Sequence, residues 1–538
     1  MPKFTLNDQE IEAKPGQTII QAALDHGITI PHYCYHPDLP IDGNCRMCLV
    51  EVEKMPKLTP ACTTLVSEGM IARSNNDRVK ESVRGVLEFL LINHPVDCPV
   101  CDQAGECRLQ DYYMVYGLHT SEIPLDLKVR KRKVVDLGEM VVLDQERCIL
   151  CSRCVRFFDH VTGTGEMQFF GRGDHNSIGT FEDRPLTNPY SGNVVDICPV
   201  GALTSRDFRF KARVWFLHST DSICVGCSTG CNTRVDHRDG TIFRMISRRN
   251  PEVNKSWMCD EGRLSFHRLQ ERERIARPMI KSVDGMQAPV TWEEAFSSAD
   301  STMKEIASKH GRESVLGFGS ASATNEALFL FKHYLSEKIG ANQFEFRLDG
   351  EDRTVTEKED DLLRRIDKNP NTTGAIKIGL VNEQLGGIRG AIEAARAGRI
   401  KAAVIIYFKP LVARAGDDEK ESLVAELVNA LQYSVVIAPY KADWQQTANV
   451  LMPVAAWTEE QGTYTNYQGR VHFAGQALLA VGDAIPAWEV FAGLLYASGE
   501  TRLWLSSDEV FLNMKENVTA FHNITLEQAR REGALAVE

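Results

Sequence analysis

Fifteen cysteines and one histidine, His94, fall into four sets of four along this chain of 538 residues. The sets are Cys34, Cys45, Cys48 and Cys62; His94, Cys98, Cys101 and Cys107; Cys148, Cys151, Cys154 and Cys198; and Cys224, Cys227, Cys231 and Cys259. No cysteine is left over, and an odd count fits a disulfide framework poorly. Sixteen metal ligands, one of them an imidazole, account for every one of these residues. Iron-sulfur clusters in these places would make the chain an electron wire, whereas zinc would make it a stapled scaffold.

The elements around each set suggest how the ligands are held. Phe4–Leu6 and Ile11–Ala13 read as a hairpin around Asn7-Asp8, followed by a helix over Thr18–His26 and a long loop with Cys34, Cys45 and Cys48. The strand Leu49–Val52 follows, and Cys62 lies beyond Pro60. A strand pair, a helix and a cysteine loop closing on a remote cysteine is the plan of a [2Fe-2S] ferredoxin, although C-x10-C-x2-C-x13-C departs from the plant-type opening. Gly43 would let backbone N–H groups approach the sulfurs and tune the site. A helix over Asp77–Asn93 then delivers His94, and His94-x3-Cys98-x2-Cys101-x5-Cys107 forms a compact loop with Gly105 at its last turn. A histidine at a helix C-terminus usually complements the dipole. Here the three following cysteines lack a fourth ligand without it, so a [4Fe-4S] site of one histidine and three cysteines is expected.

Cys148-x2-Cys151-x2-Cys154 with a late Cys198-Pro199 is the bacterial ferredoxin opening of a [4Fe-4S] site; Phe158 stands where a two-cluster ferredoxin has its next cysteine. Cys224-x2-Cys227-x3-Cys231-x27-Cys259 fits either a further [4Fe-4S] cluster or a zinc ribbon, and Asp239-Gly240 inside it reads as a hairpin turn. His32, His36, His160 and His175 have no ligand spacing and read as ordinary residues.

A net charge of -12 argues against nucleic acid as a partner. The basic run Lys128, Arg130, Lys131, Arg132, Lys133 reads as a solvated face or linker strand, with contact to an acidic partner subunit as the alternative. No apolar run is long enough to span a membrane, and no signal peptide or presequence is evident, so the expected place is the reducing bacterial cytoplasm, with membrane association only through partners.

The second half alternates apolar runs (Val315–Gly319, Ala375–Val381, Ala402–Tyr407, Ser434–Pro439) with helical segments (Glu293–Lys309, Thr324–Ile339, Glu419–Leu431), which predicts α/β layers. The turn Gly317-Phe318-Gly319-Ser320-Ala321-Ser322 has serine in place of the third dinucleotide-binding glycine and no evident acidic partner. Glu359-Asp360-Asp361, preceded by Glu351, Asp352 and Glu357, reads as a solvated loop.

The four spacings in this order resemble the NuoG family, the iron-sulfur subunits of bacterial NADH-quinone oxidoreductase (complex I), over residues 1 to about 485. The resemblance implies a β-grasp [2Fe-2S] ferredoxin domain (1–80), a one-His-three-Cys [4Fe-4S] domain (81–140), a ferredoxin-like [4Fe-4S] domain (141–215), a Mo/W bis-MGD-type [4Fe-4S] domain (216–272) and a molybdopterin-oxidoreductase-like α/β domain (273–538). It implies one [2Fe-2S] and three [4Fe-4S] clusters, the fourth off the main path. Electrons would enter from a flavin-bearing NADH-oxidising subunit and leave for a two-cluster ferredoxin-like subunit towards quinone, on the cytoplasmic side of the inner membrane, in a proton-translocating complex.

The stretches Ala448–Pro453 and Glu460–Thr463 carry the molybdopterin resemblance. Glu261 stands where molybdoenzymes of that fold usually have a lysine, and no cysteine remains for molybdenum, so a structural role without molybdopterin, and no catalytic residue in this chain, is expected. The alternative is a subunit of an NAD-linked formate dehydrogenase or related molybdoenzyme. An iron-only hydrogenase would need cysteines beyond Cys259, and there are none.

Overall fold

The computed structural model describes residues 1–118, 123–348, 358–409, 411–412 and 417–537. Glu351, Asp352 and Glu357 lie outside them. Two compact units divide the chain, Met1–Leu217 and His218–Glu538.

The first unit begins with a hairpin of β1 (Lys3–Leu6) and β2 (Gln9–Glu12), turned by Asn7 and Asp8, both left-handed. Helix α1 (Ile19–Asp25) starts at Thr18, whose side chain and that of Gln21 form a reciprocal capping box. With β3 (Leu49–Val52), β4 (Thr59–Pro60) and β5 (Ile71–Arg73) the strands order as β2-β1-β5-β3-β4, β1 and β5 parallel. Phe4, Leu6, Ile19, Ile20 and Val50 bury the space between sheet and α1.

Helix α2 (Asp77–Leu91) is capped by Asn76, which accepts from the Val79 N–H, and buries Val79, Val83 and Leu87. After α3 (Arg108–Tyr116), the strands β6 (Val135–Asp136) and β7 (Val141–Leu143) begin a small antiparallel sheet. Helix α4 (Arg153–His160), the hairpin of β8 (Gln168–Phe170) and β9 (Ser177–Gly179), α5 (Asn193–Ile197) and β10 (Leu203–Ser205) complete the unit, with sheet order β10-β7-β6. Phe158 is fully buried, edge-on to Phe157 at 5.3 Å, so an aromatic fills the place a further cysteine would take.

The second unit opens with a meander of β11 (His218–Ile223), β12 (Asn232–Arg238) and β13 (Thr241–Ser247), turned at Asp239-Gly240 as the sequence predicts. A short helix α6 (Asp260–Leu264) follows Cys259. The main sheet then forms from β14 (Met279–Lys281), β15 (Gln287–Pro289), β16 (Val315–Phe318), β17 (Gln343–Glu345), β18 (Ala402–Ile406), β19 (Tyr433–Ala438) and β20 (Val450–Pro453). Their order is β15-β14-β20-β19-β18-β16-β17; the five strands from β20 to β17 are parallel and the β14–β15 hairpin is antiparallel. A third sheet, β21 (Gly462–Thr465), β22 (Arg470–Ala474) and β23 (Ala534–Leu535), completes the unit.

One predicted strand is a helix. Ala375–Val381 begins inside Thr372–Ile378, which stops at Gly379 in the left-handed conformation. A short apolar run does not by itself distinguish a buried helix from a strand. Gly317 serves packing: a Cβ there would meet Leu335, Phe344 and Phe331 within 3.0 Å. No helix among the described residues is long and apolar enough to cross a membrane.

Candidate metal centres

All fifteen cysteines are free thiols. In the first set, the loop between α1 and β3 carries Cys34, Cys45 and Cys48, and Cys62 follows β4; Cys34, Cys48 and Cys62 are buried. Gly43 adopts φ +71°, where an L side chain is strained. The Cys45 sulfur accepts the Cys34 thiol and backbone N–H groups of Cys34, Met47 and Tyr33, which draws its pKa down to about 6. Cys34, the donor, is pushed well up. Cys48 and Cys62 repeat the arrangement, Cys48 lowered by the thiol of Cys62 and Cys62 raised. The four thiols thus stand within one another's fields, and in each pair one sulfur is made more acidic and its partner less.

In the second set α2 ends three residues before His94. Desolvation pushes the His94 imidazole down to about 4, so it is neutral at physiological pH, the form that binds metal. Its Nδ1 is buried without a hydrogen-bond partner. Lys128 Nζ donates to the carbonyls of Leu91 (2.8 Å) and His94 (2.6 Å), closing the end of α2. Lys128 is the member of the basic run that departs from a solvated face; Arg130, Arg132 and Lys133 are exposed, as that reading expects. Lys128 is buried, Lys131 donates to Asn176 O, Arg132 pairs with Asp183, and Lys133 pairs with Glu146 at 2.9 Å. Cys98 opens a short 3-10 turn and Cys107 precedes α3. Gly105, at φ +88°, leaves room for Trp215, whose ring a Cβ would approach to 2.8 Å.

In the third set Cys148 and Cys151 lie in the turn before α4, Cys154 in the first turn of α4, and Cys198 just after α5, which ends at Ile197. Burial raises all four thiols, Cys148 to about 12 and Cys151 to about 11. The set is hydrogen-bonded to both others. Towards the first, Ser152 donates to Asp42, Arg153 to Tyr35 O (2.6 Å), and Arg156 to the carbonyls of Pro40 and Cys34. Towards the second, Arg147 forms a two-pronged pair with Asp97 (3.0 and 2.7 Å) and the Arg108 N–H donates to Pro199 O (3.2 Å). At Gly201 the backbone comes so close to Cys101 that a Cβ would stand 2.3 Å from its sulfur. The first and second sets also meet, through His32 Nε2 with Arg108 Nη1 (2.8 Å) and Tyr33 edge-on to Tyr112 (5.4 Å).

The fourth set belongs to the second unit. Cys224, Cys227, Cys231 and Cys259 line one small recess, together with Gly226, Glu261, Gly262, Arg364, Lys368 and Val412. Burial raises Cys224 to about 12 and pushes Cys231 and Cys259 well up. Gly262 N–H donates to Cys259 Sγ (3.4 Å), and Gly226 N–H to Cys224 Sγ (3.5 Å). Arg364 Nη2 lies 3.4 Å from Glu261 Oε1, and both Arg364 and Lys368 bind the Glu359 carboxylate. Asp360 accepts the N–H groups of Leu362, Leu363 and Arg364. Glu359 thus pairs with two cations that line this recess, while Glu359 and Asp361 are exposed in an irregular segment, as the reading of a solvated loop expects.

Among the described residues no three His, Cys, Asp or Glu side chains converge tightly enough to hold a single metal ion. Four thiols around one recess and a neutral imidazole with an unpartnered buried nitrogen fit a multi-iron group. Because most of these thiols hold their protons, loading metal must release protons.

Comparison with known proteins bears on the same residues. Residues 2–77 match the 2Fe-2S iron-sulfur cluster binding domain, and 84–122 the NADH-ubiquinone oxidoreductase-G iron-sulfur binding region. Residues 138–204 match the ferredoxin-like domain of NADH-quinone oxidoreductase subunit 3, and 217–267 the NDSU1/NuoG-like 4Fe-4S domain of NADH-ubiquinone oxidoreductase. The G subunit of NADH-quinone oxidoreductase from Rickettsia bellii is 39% identical over 415 residues, 74% of this chain and 59% of that one. The chain is a homologue of the NADH-quinone oxidoreductase G subunits. The 75 kDa subunit of NADH-ubiquinone oxidoreductase from Reclinomonas americana is 41% identical over 365 residues, 67% of this chain and 51% of that one. This homologue thus spans between half and three-fifths of the length of these relatives. Residues 274–361 and 371–496 match the molybdopterin oxidoreductase family. A solved NAD+-reducing [NiFe]-hydrogenase chain aligns with 40% of this chain and 91% of its own, at 29% identity and a TM-score of 0.37.

Proposed function

We propose that this chain is an iron-sulfur electron-transfer subunit of an NADH-quinone oxidoreductase. It holds a [2Fe-2S] cluster on Cys34, Cys45, Cys48 and Cys62 and [4Fe-4S] clusters on the sets that begin at His94, Cys148 and Cys224. Electrons arrive from a flavin-bearing NADH-oxidising subunit and leave through a two-cluster ferredoxin-like subunit towards quinone, while the whole complex translocates protons. The chain then works at the cytoplasmic face of the bacterial inner membrane, attached through its partners.

The observation that carries this reading is the packing of three ligand sets within one unit, the third hydrogen-bonded to both others. Such packing serves electron transfer between sites better than three separate structural staples. The chain's task is then to fix distances and set potentials through ligand type, sulfur hydrogen bonds and burial. The second unit, with Glu261, Arg364, Lys368 and Glu359 already paired around the fourth recess, is read as structural, without molybdopterin.

Iron, acid-labile sulfide, zinc and molybdenum analysis of anaerobically purified protein, with EPR after dithionite reduction, tests this. About fourteen irons per chain, from one two-iron and three four-iron clusters, is the expected result. Stoichiometric zinc, or stoichiometric molybdenum with fewer irons, would overturn it, molybdenum pointing to a formate-dehydrogenase-like enzyme.

A further inference from the structure

Two arginines lie where the first and third cysteine sets meet, and neither has an anionic side chain to answer it. Arg153 and Arg156 are 5% and 8% exposed. Arg153 Nη1 donates to Ile197 O (2.9 Å), beside Cys198, and its Nη2 to Tyr35 O (2.6 Å), beside Cys34. Arg156 Nη2 donates to the carbonyl of Cys34 and lies 3.5 Å from that of Cys151. One guanidinium thus touches the backbone of a ligand from each set. Asp42 reaches Arg156 only through Ser152, whose hydroxyl accepts from Arg156 Nε (2.9 Å) and donates to Asp42. Among the described residues no carboxylate forms an ion pair with either arginine.

Buried guanidinium groups cannot shed their charge, and a buried cation without a counter-charge is costly. Carbonyl dipoles offset part of that cost. The remaining negative charge within reach is what eight cysteines become as thiolates on iron. We propose that Arg153 and Arg156 are positioning residues that clamp the first and third ligand loops together and serve as a shared counter-charge to the groups bound there, raising both reduction potentials. This rests on the iron-sulfur reading of the two sets. A positive charge beside a site favours the form with the added electron, so its loss lowers the potential.

The test is redox titration followed by EPR on the full chain, comparing wild type with R156Q, R153Q and R156K. In R156Q, with iron and sulfide retained, the [2Fe-2S] signal and the signal of the Cys148 set shift downward together. A tenfold loss in the reduction equilibrium at each would read as about 59 mV for one electron. The signal of the His94 set stays in place, and R156K restores most of both shifts. Should R156Q fail to load iron, R153Q, which leaves the Cys34 carbonyl contact intact, is read in the same way. Potentials unmoved in a fully loaded glutamine variant, or a shift R156K fails to restore, would overturn the counter-charge. Absence of iron from the wild type would instead overturn the iron-sulfur reading itself.

Discussion

Replacing Gly201 by alanine asks whether the Cys101 sulfur is bound or free. The added Cβ would stand 2.3 Å from Cys101 Sγ and 3.2 Å from Gln103 Cβ, whereas ordinary contact begins near 3.4 Å, so the sulfur must retreat by roughly 1.1 Å, the difference of 3.4 and 2.3. The backbone at Gly201 is not in the left-handed region, so the effect is steric. A free thiol would turn aside about χ1 at a cost of about 0.5–1.5 kcal/mol. A sulfur fixed on iron cannot turn, and the Cys98–Cys107 loop must move instead, at a cost of about 1–3 kcal/mol. For the 217-residue first unit that is a fall in unfolding midpoint of roughly 2–12 °C. Iron analysis separates the two cases more sharply: loss of the second set's cluster lowers the iron count from about fourteen to about ten. Gly85 in α2 is the control, since its Cβ would meet nothing within 4 Å and alanine there should stabilise the helix by about 1 kcal/mol. A Gly201→Ala protein with full iron, an unchanged EPR spectrum and the midpoint of wild type would refute ligation by Cys101.

Three further outcomes follow from the same geometry. His94→Cys should keep its cluster but lower its potential, because a thiolate adds a negative charge where the neutral imidazole has none; a redox titration that finds the potential unmoved removes histidine from the ligand set. Cys259→Ala should empty the fourth recess of its cluster yet leave NADH-to-quinone electron flow largely intact in the assembled complex, and a collapse of that flow despite normal assembly would contradict an off-path site. Burial raises the carboxyls of Glu326 to about 7 and Glu460 to about 8 in the second unit, so the folded chain keeps protons that the unfolded chain releases above about 4.5. The stability these two carboxyls contribute to that unit should therefore be fully present below about pH 4.5 and be lost as pH rises towards 8. Glu460→Gln, which keeps an acceptor for the Ala487 N–H, should flatten this decline in tryptophan-monitored unfolding; an unchanged slope would refute it.

What the sequence discloses and what it conceals divide along a physical line. Ligand spacing, the Asn7-Asp8 and Asp239-Gly240 turns and the approach of α2 to His94 are local, so periodicity and turn chemistry reveal them. Counter-charges are not local. Lys128 reaches the His94 carbonyl across 34 residues, Arg156 reaches Cys34 across 122, and Lys368 reaches the recess of Cys224 and Cys259 from another part of the second unit. A lysine in a basic run or an arginine on a short helix gives no sign in the chain that it will be buried against a carbonyl. The Ala375–Val381 run failed for a different reason: seven apolar-rich residues suit a parallel strand as well as a buried helix, and only Gly379, left-handed at the helix end, marks the difference. The missed residues share one feature, a full or partial charge brought to a sulfur set from a distance. In a protein whose work is to set potentials, those are the residues through which one set of ligands can acquire a different potential from another with the same sulfurs.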